Sequence, residues 1–152
     1  MLSFSRFVLV EAGDNPYDYK VDDKDDKQTT YTFNANGKPY SATVTHFGDT
    51  DADVTFGDRH YDSDFGYHTG FSKTGDQGLK AAKVMSTIHH IIRHHVAEHP
   101  KLKTIGFTSD TDEPSRVALY TRYAKRLGGH TNVSNIVRDT KVHIIPADSY
   151  RS

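Results

Sequence analysis

The chain of 152 residues contains no cysteine. This absence excludes disulfide bonds, thiolate metal ligands and cysteine nucleophiles. The chain also has no long hydrophobic run, because the FVLV stretch at 7–10 is too short for a signal-peptide core or a membrane span. The sequence therefore predicts a cytoplasmic protein with no membrane partner.

The length fits one domain, 1–152, that can bury a core without help from metals or disulfides. Charge is divided unevenly, since 1–78 hold 7 Lys/Arg and 14 Asp/Glu whereas 79–152 hold 12 and 6. A basic half can attract the phosphates of a coenzyme or of nucleic acid. The alternative is an ordinary solvated surface.

The first part of the chain alternates apolar and polar residues in the manner of β-strands. A strand is predicted at 3–11 and an exposed acidic loop at 12–28. Asn36-Gly37 then supplies a hairpin turn between two alternating runs, and a third run follows at 52–61. Residues 1–65 are therefore predicted to form an antiparallel meander.

The pattern changes in 66–152. A glycine-rich polar loop at 66–78 precedes apolar residues spaced three and four apart from Ala81 to Val96, which predict a helix ending near Pro100. A strand, a second helix at 113–129 and a last strand at 141–147 follow. This order predicts an α+β fold with a mixed, mainly antiparallel sheet and two principal helices.

The loop before the first helix is a candidate phosphate site. A helix N-terminus offers unpaired backbone N–H groups and a partial positive charge, and glycines let the backbone approach a pyrophosphate closely. The alternative is a plain turn in which Asp76 caps the helix. The residues of this candidate site are Gly70, Lys73, Thr74, Gly75 and Gly78.

The sequence EPSRVALY at 113–120 resembles the N-x-x-A-x-x-L-Y motif of the GNAT superfamily of acetyltransferases. With Thr69-Gly70, Thr74-Gly75-Asp76 and His99-Pro100 it is similar also to small proteins of tailed bacteriophages. The resemblance covers about 66–129. It implies a GNAT-like (acyl-CoA N-acyltransferase) fold in which the 12–28 loop replaces the usual first two helices.

The resemblance also implies an activity, the transfer of an acetyl group from acetyl-CoA to an amine. Tyr120 would be the general acid that protonates the departing thiolate. Backbone N–H groups near 56–61 would stabilise the oxyanion, and His60 or His68 could be the base. The alternative role of Tyr120 is to pack its helix against the sheet.

Two other functions stay open. Ser72 and Gln77 depart from the family's pyrophosphate loop, which favours a non-catalytic relative that binds a host protein or belongs to a virion. Nucleic-acid binding is the third possibility, although a solvated basic face is expected instead. The oligomeric state and the acceptor are left open. The basic residues concerned are Arg116, Arg122, Lys125, Arg126, His130 and Lys141.

The segment HHIIRHHVAEH at 89–99 is rich in histidine. Residues 95–99 match the H-x-x-E-H pattern of some zinc peptidases. A zinc site also needs a third protein ligand and a hydrogen-bonded second shell, and this match lies in the last turn before Pro100 of a chain with ten histidines, so no metal is expected. His89, His90 and His94 are predicted to lie on a solvated face and His95 close to the buried stripe.

Overall fold

The computed structural model describes residues 16–35, 37–62, 66–70, 79–110, 114–134 and 140–151. The strand predicted at 3–11 lies outside these residues. Within them the elements, in chain order, are β1 (Tyr19–Lys24), β2 (Gln28–Ala35), β3 (Lys38–Phe47), β4 (Asp51–Asp62), β5 (Gly66–Gly70), α1 (Leu79–Glu98), β6 (Thr104–Asp110), α2 (Pro114–Arg126), β7 (His130–Ser134), β8 (Thr140–Pro146) and a short 3₁₀ helix, Ala147–Tyr150.

The strands form one sheet in the order β1-β2-β3-β4-β6-β8-β7, and β5 pairs with β4 off this path. The β4–β6 pair is parallel, and the other described pairs are antiparallel. The predicted α+β class, with a mixed, mainly antiparallel sheet and two principal helices, is confirmed. The order of meander, helix, strand and helix is the one that the GNAT resemblance implies.

The core lies on one face of this sheet. Alternation places the buried apolar side chains of β2 and β3 on the same side, where Tyr31 is paired with Ala42 and Phe33 with Tyr40. Gly37, with φ of 81°, allows the tight connection between these strands. The opposite face is polar, and there Thr30 and Thr43 are hydrogen-bonded at 3.1 Å between their hydroxyl oxygens.

The prediction of a loop throughout 12–28 is wrong for Tyr19–Lys24, which form β1. This strand lies at the edge of the sheet and pairs with β2, with a bulge between Val21 and Asp23. Its side chains after Tyr19 are exposed, as the charged composition predicts. An edge strand needs main-chain pairing on one side only, and charged side chains suit it.

Two further strands were not predicted. β5 occupies the start of the segment predicted as a glycine-rich loop and pairs with the end of β4. β7 follows Gly129, whose α-carbon passes so close to the Ile144 carbonyl that a Cβ there would overlap its oxygen. Both strands are short, and their extended conformation depends on pairing with a neighbour rather than on alternation of their own residues.

Helix α1 packs its apolar stripe onto the sheet, with Ile88, Ile91 and Val96 fully buried. Neither described helix has both the length and the apolar composition of a membrane span. The predicted solvated face is wrong for His89, which is fully buried, and right for His94, which is exposed.

A hydrogen-bonded network explains how His89 can be buried. Its Nδ1 lies 2.8 Å from the Tyr123 hydroxyl of α2. That hydroxyl lies 3.0 Å from the hydroxyl of Tyr150 in the 3₁₀ helix. The network joins three elements and satisfies polar groups that would otherwise be buried at a cost of about 1–3 kcal/mol each.

Burial, reinforced by the neighbouring charges of His90 and Arg93, lowers the pKa of His89 to about 3. The unfolded chain then binds one more proton than the folded chain between this value and the usual pKa of about 6.5. The free energy of unfolding should therefore fall as the pH decreases through this window, with His89 contributing up to about 1.4 kcal/mol per pH unit.

His89→Asn keeps a polar atom near the Nδ1 position but has no group that titrates. We expect it to lower the slope of the free energy of unfolding against pH by up to about 1.4 kcal/mol per pH unit, which corresponds to one proton. Urea unfolding between pH 4 and pH 7 measures the slope, and His94→Asn is the matched control on the same helix. Equal slopes in the wild type and in His89→Asn would contradict the assignment.

Candidate active site at the separation of two parallel strands

The parallel pair of the sheet is short. Residues 51–54 of β4 pair with 104–107 of β6. Beyond Val54, β4 pairs with β5 instead of β6, from Asp58 onward, while β6 keeps the pairing with β8 that it has along its whole length, as far as Asp110. The pairing of β4 with β6 therefore ends at Val54 and Phe107, and the two strands separate there. Ligands of α/β sheets commonly bind in such a crevice at the carboxyl ends of parallel strands.

Tyr120 of α2 lies beside this division. Its ring centroid is 5.8 Å from that of Phe56, which lies two residues beyond Val54, the last residue of β4 that pairs with β6. It is also 5.8 Å from that of Phe107, the last residue of β6 that pairs with β4. Tyr120 is only 4% exposed. The packing role considered for Tyr120 is therefore confirmed, and its role as a general acid stays a prediction.

His143 of β8 is a further group at this place that the sequence reasoning missed. Its ring meets that of Tyr120 edge-on, with centroids 5.7 Å apart. It is fully buried, and its Nδ1 lies 2.9 Å from the Thr131 hydroxyl. Burial, and to a lesser extent Lys141, lowers the pKa of His143, which favours the neutral imidazole. Its alternation with Ile145 along β8 was the available signal that it faces the core.

The predicted phosphate site is described only at its two ends. Gly70 is the last residue of β5 and is the register partner of Asp58, and α1 begins at Leu79. Four residues of the predicted site lie outside the described residues: Lys73, Thr74, Gly75 and Gly78.

The two histidines considered as bases are brought together by the fold. His60 and His68 are register partners across β4 and β5, on the stretch of β4 that follows its separation from β6. The basic residues of α2 with described side chains, Arg122, Lys125 and Arg126, are exposed. This agrees with the expected solvated face.

No protein-family model matches this chain, and no curated protein matches it. Among solved structures, it is similar to the N-acetyltransferase PseH of Campylobacter jejuni, with 10% identity and a TM-score of 0.49 over 80% of this chain and 70% of that one. It is similar also to the ribosomal-protein-S18-alanine N-acetyltransferase of Escherichia coli, with 16% identity and a TM-score of 0.49 over 82% and 72%.

A third similar structure is FeeM, an N-acyl amino acid synthase from uncultured soil microbes, with 10% identity and a TM-score of 0.47 over 96% of this chain and 90% of that one. At such identities and TM-scores the likeness carries no argument about activity. The function is therefore argued from the geometry of this chain.

The aromatic cluster at the strand division makes a prediction about stability. Phe107→Ala should lower the free energy of unfolding by about 3–5 kcal/mol, because it leaves a cavity beneath Tyr120 and Phe56. Phe47→Ala is the matched control, since Phe47 is 60% exposed and should change stability by no more than about 0.5 kcal/mol. Urea denaturation measures both, and a similar small effect of the two substitutions would contradict the packing described.

Proposed function

We propose that this chain is an acyl-CoA-dependent N-acetyltransferase that transfers an acetyl group to an amine, of the type encoded by tailed bacteriophages and acting in the host cytoplasm. The observation that supports it is the division between β4 and β6, with Tyr120 packed beside the division. A thioester entering there would reach Tyr120 from the carboxyl ends of both strands.

Coenzyme binding would use the segment between β5 and α1. The pyrophosphate carries negative charge and would be held by backbone N–H groups at the start of α1. The proposed contacts are those predicted from the sequence, with Lys73 as the cation and the glycines allowing close approach. The proposed residues are Gly70, Lys73, Thr74, Gly75 and Gly78.

The transfer itself requires two proton movements. The amine nitrogen attacks the thioester carbonyl carbon, and the C–S bond breaks as the amide bond forms. The amine gives up one proton to a base, for which His60 and His68 are candidates, and the departing thiolate takes one. In this proposal the Tyr120 hydroxyl donates the proton to sulfur, and N–H groups of β4 stabilise the oxyanion.

Calorimetric titration of the full chain with acetyl-CoA is the first test, and we expect one site per chain. Release of free thiol is then followed with a polyamine, a lysine-containing peptide and peptides with a free N-terminus as acceptors. With an accepted amine, Tyr120→Phe should lower kcat by about 10²- to 10⁴-fold and leave the KM for acetyl-CoA nearly unchanged.

Tyr19→Phe is the matched control, because Tyr19 is a half-buried tyrosine on β1 whose hydroxyl reaches the His90 carbonyl at 3.5 Å. It should retain wild-type kcat. No heat of binding with acetyl-CoA at millimolar concentration would remove the proposal. That result would favour the rival, a non-catalytic relative that binds a host protein or belongs to a virion.

A further inference from the structure

Three histidines from two distant parts of the chain meet at the C-terminal end of α1. His46 lies near the end of β3, His95 in the last turn of α1, and His99 immediately after that helix. One ring nitrogen from each lies within 4.8 Å of those of the other two. The H-x-x-E-H pattern supplies two histidines, and the fold brings His46 beside them as a third.

The rings of His95 and His99 are stacked, with centroids 4.2 Å apart, and hydrogen bonds to their Nδ1 atoms indicate which ring nitrogens carry protons. Nδ1 of His99 lies 2.8 Å from the His95 carbonyl oxygen. A carbonyl only accepts, so Nδ1 of His99 carries the proton and its Nε2 has a free lone pair. Nδ1 of His95 lies 2.9 Å from the Tyr31 hydroxyl. The other ring nitrogen of His95, Nε2, is therefore the one that faces His46.

The contact between His46 and His95 is the central feature. Their Nε2 atoms lie 2.7 Å apart, so one of the two must carry a proton that is shared with the other. A metal ion can replace this proton, because the Tyr31 hydroxyl can accept as well as donate and so supports either tautomer of His95. Such hydrogen bonds to the non-ligating ring nitrogens are typical of histidine metal sites.

The surroundings of His46 and His95 favour the neutral imidazole, which is the form that binds a metal. Burial lowers the pKa of His95 to about 3, with smaller contributions from His99, His46 and Lys24. Burial and His99 also lower the pKa of His46. Neutral imidazoles at physiological pH can bind a cation without first losing a proton to solvent.

Access and distance also suit a metal. His95 is buried, whereas His46 and His99 are half-buried, so the cluster is open on one side. Zinc–nitrogen bonds of about 2.0–2.1 Å in a tetrahedral arrangement set ligand nitrogens about 3.3 Å apart. The His46 and His95 Nε2 atoms are closer than this, at 2.7 Å, and all three nitrogens lie within 4.8 Å of one another. Binding would therefore require the half-buried side chains of His46 and His99 to adjust.

We propose that His46, His95 and His99 bind one divalent transition-metal ion of the zinc class through their Nε2 atoms, with the fourth position open to water. Three imidazoles suit zinc, copper or nickel rather than magnesium or calcium. Glu98 of the H-x-x-E-H pattern takes no part, because its carboxylate pairs with His94 at 3.1 Å. The ion joins β3 to the end of α1.

This site is independent of the proposed acetyltransferase activity. His95 lies 16 residues beyond Leu79, which corresponds to about 24 Å along the helix axis. The ion is therefore at the opposite end of α1 from the candidate coenzyme loop. Loss of metal binding and loss of coenzyme binding can be measured separately.

The test uses the full chain stripped of metal with a chelator. Calorimetric titration with Zn²⁺ should show one tight site per chain, and Co²⁺ should give the intense visible absorption of a tetrahedral ion. Zn²⁺ at about 100 times its dissociation constant should raise Tm by about 5–10 °C.

His46→Gln and His99→Gln should each weaken Zn²⁺ binding by more than about 100-fold, since each removes a ligand from a half-buried position where the fold tolerates the change. Tyr31→Phe keeps all three ligands and should weaken binding by about 10- to 100-fold. His94→Gln and His130→Gln remove exposed histidines and should bind Zn²⁺ as the wild type does.

Circular dichroism of every variant without metal establishes that the fold is retained. Absence of a tight site in the wild type would overturn the proposal. Equal affinity of the wild type and His46→Gln would also overturn it, because binding would then belong to other histidines of the chain. A Co²⁺ spectrum typical of a six-coordinate aqua ion would also overturn the proposal.

Discussion

The structure depends on burying α1 against one face of the sheet although this helix carries histidines on its buried side. Apolar burial of Ile88, Ile91 and Val96 provides the main stabilisation. The same packing buries the imidazoles of His89 and His95 in the core, where each needs a hydrogen-bond partner. Each is hydrogen-bonded to a tyrosine, Tyr123 of α2 or Tyr31 of β2, so apolar packing and polar satisfaction fix the position of α1 together.

The two histidines have different chemical surroundings at two positions along the buried side of α1. His89 belongs to a closed network with Tyr123 and Tyr150, which holds α1, α2 and the C-terminal 3₁₀ helix together. His95 belongs to an open cluster with His46 and His99 that solvent can reach. A closed network stabilises the fold and makes it sensitive to acid, whereas an open cluster of converging nitrogens can bind an ion.

The division between β4 and β6 is the other constraint on function. The parallel pairing of β4 with β6 lasts for four residues and then ends, where β4 takes β5 as its neighbour and β6 keeps β8. The aromatic rings of Phe56, Phe107 and Tyr120 pack against one another where the two strands separate. The proposed thioester chemistry and the proposed metal site are therefore supported by separate parts of the sheet.

The sequence by itself determined the elements with strong periodicity. Alternation around Tyr31 and Val44, the 3.6-residue stripe of α1 and the order of strands and helices predict the α+β fold, because each pattern buries one face of its own element. The same patterns predicted that His95 lies near the buried stripe and that Tyr120 packs its helix against the sheet, whereas the candidate role of Tyr120 as an acid came only from the resemblance to GNAT proteins.

Tertiary structure alone decided the rest. β1, β5 and β7 are strands because a neighbour pairs with them, which their own residues do not reveal. The burial of His89 depends on Tyr123, 34 residues away, and the third histidine of the cluster comes from His46, 49 residues before His95. Contacts over such separations arise from how elements pack in space, and local periodicity carries no information about them.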